Sequence, residues 1–283
     1  MKKLIIISFM FSMLAAQGQV LNVTSIERLN VNKHEGQIGQ AVAISPQGDY
    51  LLLSTDTKQG LVKWDFETGQ SSVLTTESIT SSGVSISEDG SQVNYEEVSY
   101  KNRRRLQAEK TINLANGKKK TVSKAKSQRQ APAAIKTSGD GPVLTHHHLK
   151  LYITRDGVTR QLAPNGEDER YIWSSLSPDG SKVLYYVSGQ GAFVCDLDGN
   201  HVTCMGDITA PEWWDDNTIV GMHEMDDEYT VIASSIVART LDGAEQTLTG
   251  DDVIATYPLP CRQAGKIAFS TPSGDIYVIE VRD

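Results

Sequence analysis

From Val20 onward the apolar residues come in short bursts separated by polar, turn-forming clusters, and no stretch keeps a helical spacing. Tyr50-Leu51-Leu52-Leu53, Lys182-Val183-Leu184-Tyr185-Tyr186-Val187 and Thr218-Ile219-Val220-Gly221 are representative. They are rich in β-branched, aromatic and leucine side chains and have the length of strands, so the pattern predicts an all-β chain.

Two series of turns punctuate these bursts. Ser45-Pro46-Gln47-Gly48, Ser87-Glu88-Asp89-Gly90, Ser138-Gly139-Asp140-Gly141 and Ser177-Pro178-Asp179-Gly180 form the first, with weaker echoes at Trp214–Asn217 and Arg262–Gly265. The second is Thr68-Gly69, Asn116-Gly117, Asp156-Gly157, Asp198-Gly199 and Asp242-Gly243. Asn-Gly and Asp-Gly pairs accept positive φ and join antiparallel strands. Both series repeat at a mean of about 43 residues, the period of a four-stranded propeller blade. Such a blade cannot bury both its faces alone and must stack on neighbours around an axis.

The predicted fold is therefore a six-bladed β-propeller of four-stranded antiparallel blades. The Ser-x-x-Gly turn joins the inner strand to the second, and the Asp-Gly turn joins the third to the outer one. A sixth Asp-Gly turn would fall beyond Asp283, so Ile276–Val281 is the third strand of the last blade and that blade lacks an outer strand. Residues 20–31 precede the first inner strand and alternate Val23, Ile26 and Leu29. They are expected to complete blade six and so to close the ring and remove two sheet edges.

Length agrees with this reading once the N-terminus is set apart. Lys2 and Lys3 precede an uncharged apolar run from Leu4 to Ala16, with small residues at Ala15, Ala16 and Gly18. That is the make-up of a secretory signal peptide. Residues 1–18 are expected to be a cleaved leader and residues 19–283 the propeller domain. The expected location is the periplasm, cell surface or extracellular medium, and the mature chain is expected not to be an integral membrane protein.

The segment Tyr171-Ile172-Trp173 followed by Ser177-Pro178-Asp179-Gly180-Ser181-Lys182-Val183-Leu184-Tyr185-Tyr186 resembles the WD-like propeller repeat of TolB-type proteins. Ala43–Leu51 and Pro211–Asp215 resemble it less fully. The likeness spans most of residues 38–283 and leaves no room for the N-terminal α/β domain of TolB. It implies a platform that binds a protein or ligand, with no defined reaction.

Charge is unevenly spread in a way the net −8 hides. Between Lys101 and Arg129 there are eleven Lys or Arg, including Arg103, Arg104, Arg105, Lys118, Lys119 and Lys120, against the single acid Glu109. On the third and outer strands of blade two, they make a basic rim that either protects an outer edge or docks an acidic envelope protein, an anionic glycan or lipid headgroups. Nucleic acid is excluded as a partner because the chain is read as exported and no aromatic residue interrupts the run.

Other clusters carry weaker chemistry. His146, His147 and His148 lie on a strand that would put two of them on one face, too few to hold a metal. Glu224, Asp226, Asp227 and Glu228 read as a solvated loop after the second strand of blade five, without the spacing of a calcium loop. Cys195 and Cys204 flank the Asp198-Gly199 turn and are symmetric about position 199.5, and a hairpin centred there would set them opposite one another as a candidate disulfide. Cys261 is left over. No Gly-x-Ser-x-Gly elbow, His-Glu-x-x-His or phosphate loop occurs.

Repeat alignment places Arg170, Tyr171, Trp173, Glu212, Trp213 and Tyr257, with Pro211 and His34, where connections converge on the mouth of the central channel. Trp173 and Trp213 have a second reading, as packing between blades. The sequence thus supports a non-catalytic, monomeric binding module or scaffold of the bacterial envelope, needing no cofactor and no metal. The alternative is a propeller hydrolase or lactonase with a divalent cation in the central channel.

Overall fold

The computed structural model describes residues 19–31, 38–55, 59–127, 141–226 and 230–282. Its regular structure is β apart from two one-turn 3-10 helices, Ser81–Gly83 and Arg262–Ala264. Among the described residues, no helix is long and apolar enough to cross a membrane. The expected leader and His34 lie outside the described residues.

The strands form six antiparallel sheets, which are the six blades. The chain begins with β1 (Asn22–Arg28). Blade one is β2 (Ile38–Ile44), β3 (Tyr50–Thr55), β4 (Gln59–Asp65) and β5 (Ser71–Ser78). Blade two is β6 (Ser85–Ile86), β7 (Gln92–Lys101) and β8 (Arg104–Asn113), with a broken outer strand, β9 (Lys119–Thr121) and β10 (Lys126–Ser127). Blade three shows β11 (Val143–His147), β12 (Lys150–Arg155) and β13 (Val158–Leu162). By their turns these are its second, third and outer strands, and Ser138-Gly139-Asp140 lies outside the described residues. Blade four is β14 (Tyr171–Leu176), β15 (Lys182–Val187), β16 (Gly191–Asp196) and β17 (Thr203–Gly206). Blade five is β18 (Thr209–Trp213), β19 (Thr218–Asp226), β20 (Val231–Thr240) and β21 (Glu245–Thr247). Blade six is β22 (Thr256–Cys261), β23 (Lys266–Ser270) and β24 (Ile276–Arg282), and its outer strand is β1. β1 pairs with β24 from Asn22 opposite Arg282 to Arg28 opposite Tyr277, so the ends of the chain clasp the ring as expected.

The repeat was visible in sequence because its turns are built from side chains. In blade four Ser177 Oγ donates to Asp179 Oδ1 at 2.6 Å, Asp179 Oδ1 accepts the Ser181 amide at 2.9 Å, and the Lys182 amide donates to Ser177 Oγ at 2.9 Å. Ser87, Asp89, Ser91 and Gln92 repeat the same bonds in blade two. The serine hydroxyls, helped by the backbone amides, hold the carboxyls of Asp89 and Asp179 down at about 2. The other turn uses an acceptor at its start: Asp196 Oδ1 takes the amides of Asp198 and Asn200 at 2.9 and 2.8 Å.

Middle strands are buried on both faces, which is why they read as unbroken apolar runs rather than alternating ones. In β3, Leu51 and Leu53 join the cluster with Trp64, Ala268 and Ile276 toward blade six, while Tyr50 and Leu52 join Val93, Tyr95 and Ile112 toward blade two. Leu51, Leu52 and Leu53 are all fully buried, each contributing about 1.5–3 kcal/mol. The same two-sided division links blades three and four, four and five, and five and six, where Leu21 ahead of β1 also enters the core.

Candidate functional site

Connections from each outer strand to the next inner strand, and the hairpins between second and third strands, lie on one face of the ring. The two series of glycine turns lie on the other. On the first face the inner strands carry an irregularity that periodicity did not reveal. β14, β18 and β22 each slip by one residue against their neighbours, between Ile172 and Ser175, Thr209 and Glu212, and Thr256 and Leu259. Within each bulge one residue that is not glycine is left-handed: Trp173 at φ 47°, Ala210 at 45° and Tyr257 at 54°. A left-handed bulky residue costs roughly 1–3 kcal/mol, so the fold must hold these positions firmly.

Each bulge re-aims the side chains on its C-terminal side. Trp173 and Tyr257 are 40% and 43% exposed, and the Trp173 ring meets Tyr186 edge-on at 5.2 Å. Two residues further on, Ser175, Glu212 and Leu259 turn toward the axis, where with Ala43 and Ile44 of blade one they line a channel cavity of about 320 Å³. Most of the lining is apolar, including Leu176, Pro178 and Pro260. Ser175 Oγ is buried there with no hydrogen-bond partner among the described residues.

Glu212 is the one acid lining this cavity. Its side chain touches the water space of the channel yet is walled in by protein, and the lost hydration pushes its carboxyl up to about 7. A carboxyl placed so holds its proton up to neutral pH or pairs with a cationic or hydrogen-bond-donating group brought into the channel. Among the described residues no group of three or more His, Cys, Asp or Glu side chains could hold a metal ion.

The other residues expected at the mouth separate. Tyr171 is fully buried, packed against Tyr185, and its hydroxyl donates to the Gly166 carbonyl at 2.9 Å, so it belongs to the core between blades three and four. Trp213 is buried between blades four and five, with Nε1 on the Ser175 carbonyl at 3.4 Å, and only its margin reaches the channel. Arg170 is exposed just before β14.

The basic segment does not form one rim. Arg103, Arg104 and Arg105 sit at the tip of the β7–β8 hairpin, on the channel-mouth face. Lys118 follows the turn at the opposite end of β8, and Lys119 and Lys120 pair with Ile112 and Thr111. Nearly the whole length of a ten-residue strand, roughly 25 Å, separates the two triplets. The acidic run is likewise more ordered than a loop: Glu224 and Asp226 lie within β19, and Asp227 and Glu228 lie outside the described residues.

The expected facing of Cys195 and Cys204 needs correction. Val194 pairs with Thr203 and Phe193 with Cys204, so the two cysteines are two residues out of register, and both are free. The paired residues centre on Asp198-Gly199 itself, and Cys195 lies three residues before that turn while Cys204 lies five after it, so the two cannot face each other. Cys261 is buried, its Sγ 3.3 Å from the Pro46 carbonyl oxygen, and burial pushes its thiol up. His148 is not on a strand: with Leu149 it makes a left-handed two-residue turn, leaving His146 exposed and 3.2 Å from Ser174 Oγ.

Strand length was the feature sequence reasoning missed. The signal was there, since Gly90 to Gly117 spans 27 residues and Asn217 to Gly243 spans 26, against 19 from Gly180 to Gly199.

No protein-family model and no curated protein matches this chain. Solved structures do. A putative TolB from Agrobacterium tumefaciens aligns with a TM-score of 0.55 and 15% identity, over 91% of this chain and 98% of that one. An oligogalacturonate lyase in complex with manganese aligns at 0.51 and 15% identity, over 88% and 79%. A chain of the mitotic checkpoint complex aligns at 0.56 and 11%, over 98% and 99%. Proteins this different in role share the architecture, so at these identities the likeness is one of fold, and the fold is that of a TolB-type six-bladed β-propeller.

Proposed function

We propose that this protein is an exported, non-catalytic binding module of the bacterial cell envelope, and that the face carrying the channel mouth receives a protein partner. The observation that carries this reading is the pair Trp173 and Tyr257, large aromatic side chains left exposed on that face by strained left-handed backbone. Exposed Trp and Tyr on rigid backbone are the side chains that most often anchor a partner, because they bury much area for little lost entropy. Beyond them, toward the glycine-turn end, the channel offers an apolar wall and the Glu212 carboxyl to a chain segment that reaches that far in. A cationic or amide-bearing side chain of the partner would satisfy the carboxyl.

Capture from envelope extract tests this reading. A Trp173→Ala/Tyr257→Ala variant is expected to lose its partner, with affinity down at least about 30-fold if either residue is worth about 2 kcal/mol. Lys118/Lys119/Lys120→Glu, on the opposite face, is expected to retain it. Equal capture by the aromatic double variant would overturn the assignment of this face. Metal analysis of the same preparation tests the class of function, since stoichiometric calcium or zinc would favour the hydrolase alternative.

A further inference from the structure

Blades two and five differ from the rest on the channel-mouth face. β7 and β8 have 10 residues each, and β19 and β20 have 9 and 10, against 6 in β15 and in β16. All these second strands start just after the turns of the opposite face. The extra residues therefore raise the two hairpins above the channel-mouth face, by roughly 13 Å in blade two and 10 Å in blade five at about 3.3 Å per residue. Three steps apart in a ring of six, they stand at opposite ends of a diameter.

Their chemistry is opposite too. In blade two Lys101, Arg103 and Arg104 are exposed without an ion-pair partner among the described residues, beside Tyr100 at 74% exposure. Asn102 and Arg103 are both left-handed and make a tight two-residue turn. In blade five Glu224 and Asp226 are exposed, flanked by Met225 at 62% and Ile232 at 51%. Both hairpins are braced at the base. Lys110 bridges Glu77 at 2.6 Å and Glu97 at 3.0 Å, and Arg239 pairs with Glu245 at 2.9 Å.

We propose that the partner of these two hairpins is a second copy of this chain, met face to face about a two-fold axis lying between the faces, with the basic blade-two tip of each molecule seated on the acidic and apolar upper ends of β19 and β20 of the other. A two-fold axis perpendicular to the diameter carries blade two of one copy over blade five of its mate, so each contact forms twice. Arg103 and Arg104 meet carboxylates in the geometry guanidinium groups favour, and Tyr100 meets Met225. A uniformly acidic partner would suit one hairpin and be repelled by the other, and a uniformly basic one would fail in the reverse way. A second copy satisfies both. The hairpins act as spacers, so the channel mouth stays reachable from the sides, and the inference stands whether or not Trp173 and Tyr257 anchor another protein.

Sedimentation of the purified protein at low and high salt tests this inference. A dimer in the micromolar range is expected, weakened at least about tenfold by high salt. Arg103→Glu/Arg104→Glu should weaken it by about tenfold to a hundredfold, and Glu224→Lys/Asp226→Lys likewise. An equimolar mixture of these two variants should associate, because every contact again joins opposite charges. Circular dichroism confirms that each variant is folded. The inference is overturned if the wild type stays monomeric to about 100 μM at low salt, if either reversed variant dimerises as the wild type does, or if the folded variants fail to associate when mixed.

Discussion

Glu212 shows how a single residue acquires a property its type does not have. A carboxyl is ordinarily ionised at neutral pH, but between the apolar walls of the channel its charged form loses hydration and the proton is held up to about 7. Folding raises this affinity above that of the unfolded chain. The associated stabilisation is therefore fully present at acid pH, below about 4.5, and is lost as the pH climbs through about 7. Because the Glu212 side chain is also exposed to channel water, solvent screening leaves only part of that stabilisation, about 1 kcal/mol. Relative to Glu212→Gln, the wild type is therefore expected to lose about 2–4 °C in Tm between pH 5 and pH 8. Thermal melts of both proteins across that range check it, and parallel curves would remove Glu212 as the cause. The sequence named Glu212 by alignment of repeats. It did not show that Ser175 shares its cavity, or that Tyr171 and Trp213 turn into the core, because one residue of bulge decides which way each side chain points.

At the scale of strands and turns, sequence and structure agree where the chemistry is local. Asp-Gly, Asn-Gly and Ser-x-Asp-Gly turns carry their own hydrogen bonds, so their positions could be read directly. What differs between turns is what surrounds them. Gly117, at φ 67°, has open space around its Cα, so Gly117→Ala costs only the left-handed strain of about 1 kcal/mol. Gly265 has a similar φ of 61°, but a methyl group there runs into the Val281 carbonyl oxygen of β24. Gly265→Ala adds a clash to the strain and is expected to cost about 2–4 kcal/mol. Denaturant unfolding of the two variants measures the difference, and equal losses would mean that β24 yields without penalty. The register slips of the bulged inner strands, unlike turn positions, were not legible. The cysteine pair was expected opposite about position 199.5, but the hairpin centres on Asp198-Gly199, which leaves Cys195 three residues before the turn and Cys204 five after it.

The whole molecule depends on closure. β24 would be a bare edge without β1, and Leu21 would leave a core formed with Ile267, Phe269 and Ile279. Deleting residues 19–28 is expected to lower Tm by roughly 10 °C or more and to promote association through the open edge. Calorimetry and light scattering report the two effects. An unchanged Tm would show that the remaining blades hold the ring by their packing alone. Charge also takes its meaning only at this scale. The basic segment is one run in sequence and two separate patches in space, because β8 carries its ends to opposite faces of the ring.

The number of blades, the role of each strand and the closing of the ring were all written in the chain, since these depend on local turn chemistry and on strands buried on both sides. Folding in three dimensions was needed to set which residues share the channel and to raise two hairpins of opposite charge across from one another. Those outcomes depend on bulges, register and the circular arrangement of blades. Each of these is settled by packing between segments far apart in the chain, which no local pattern records.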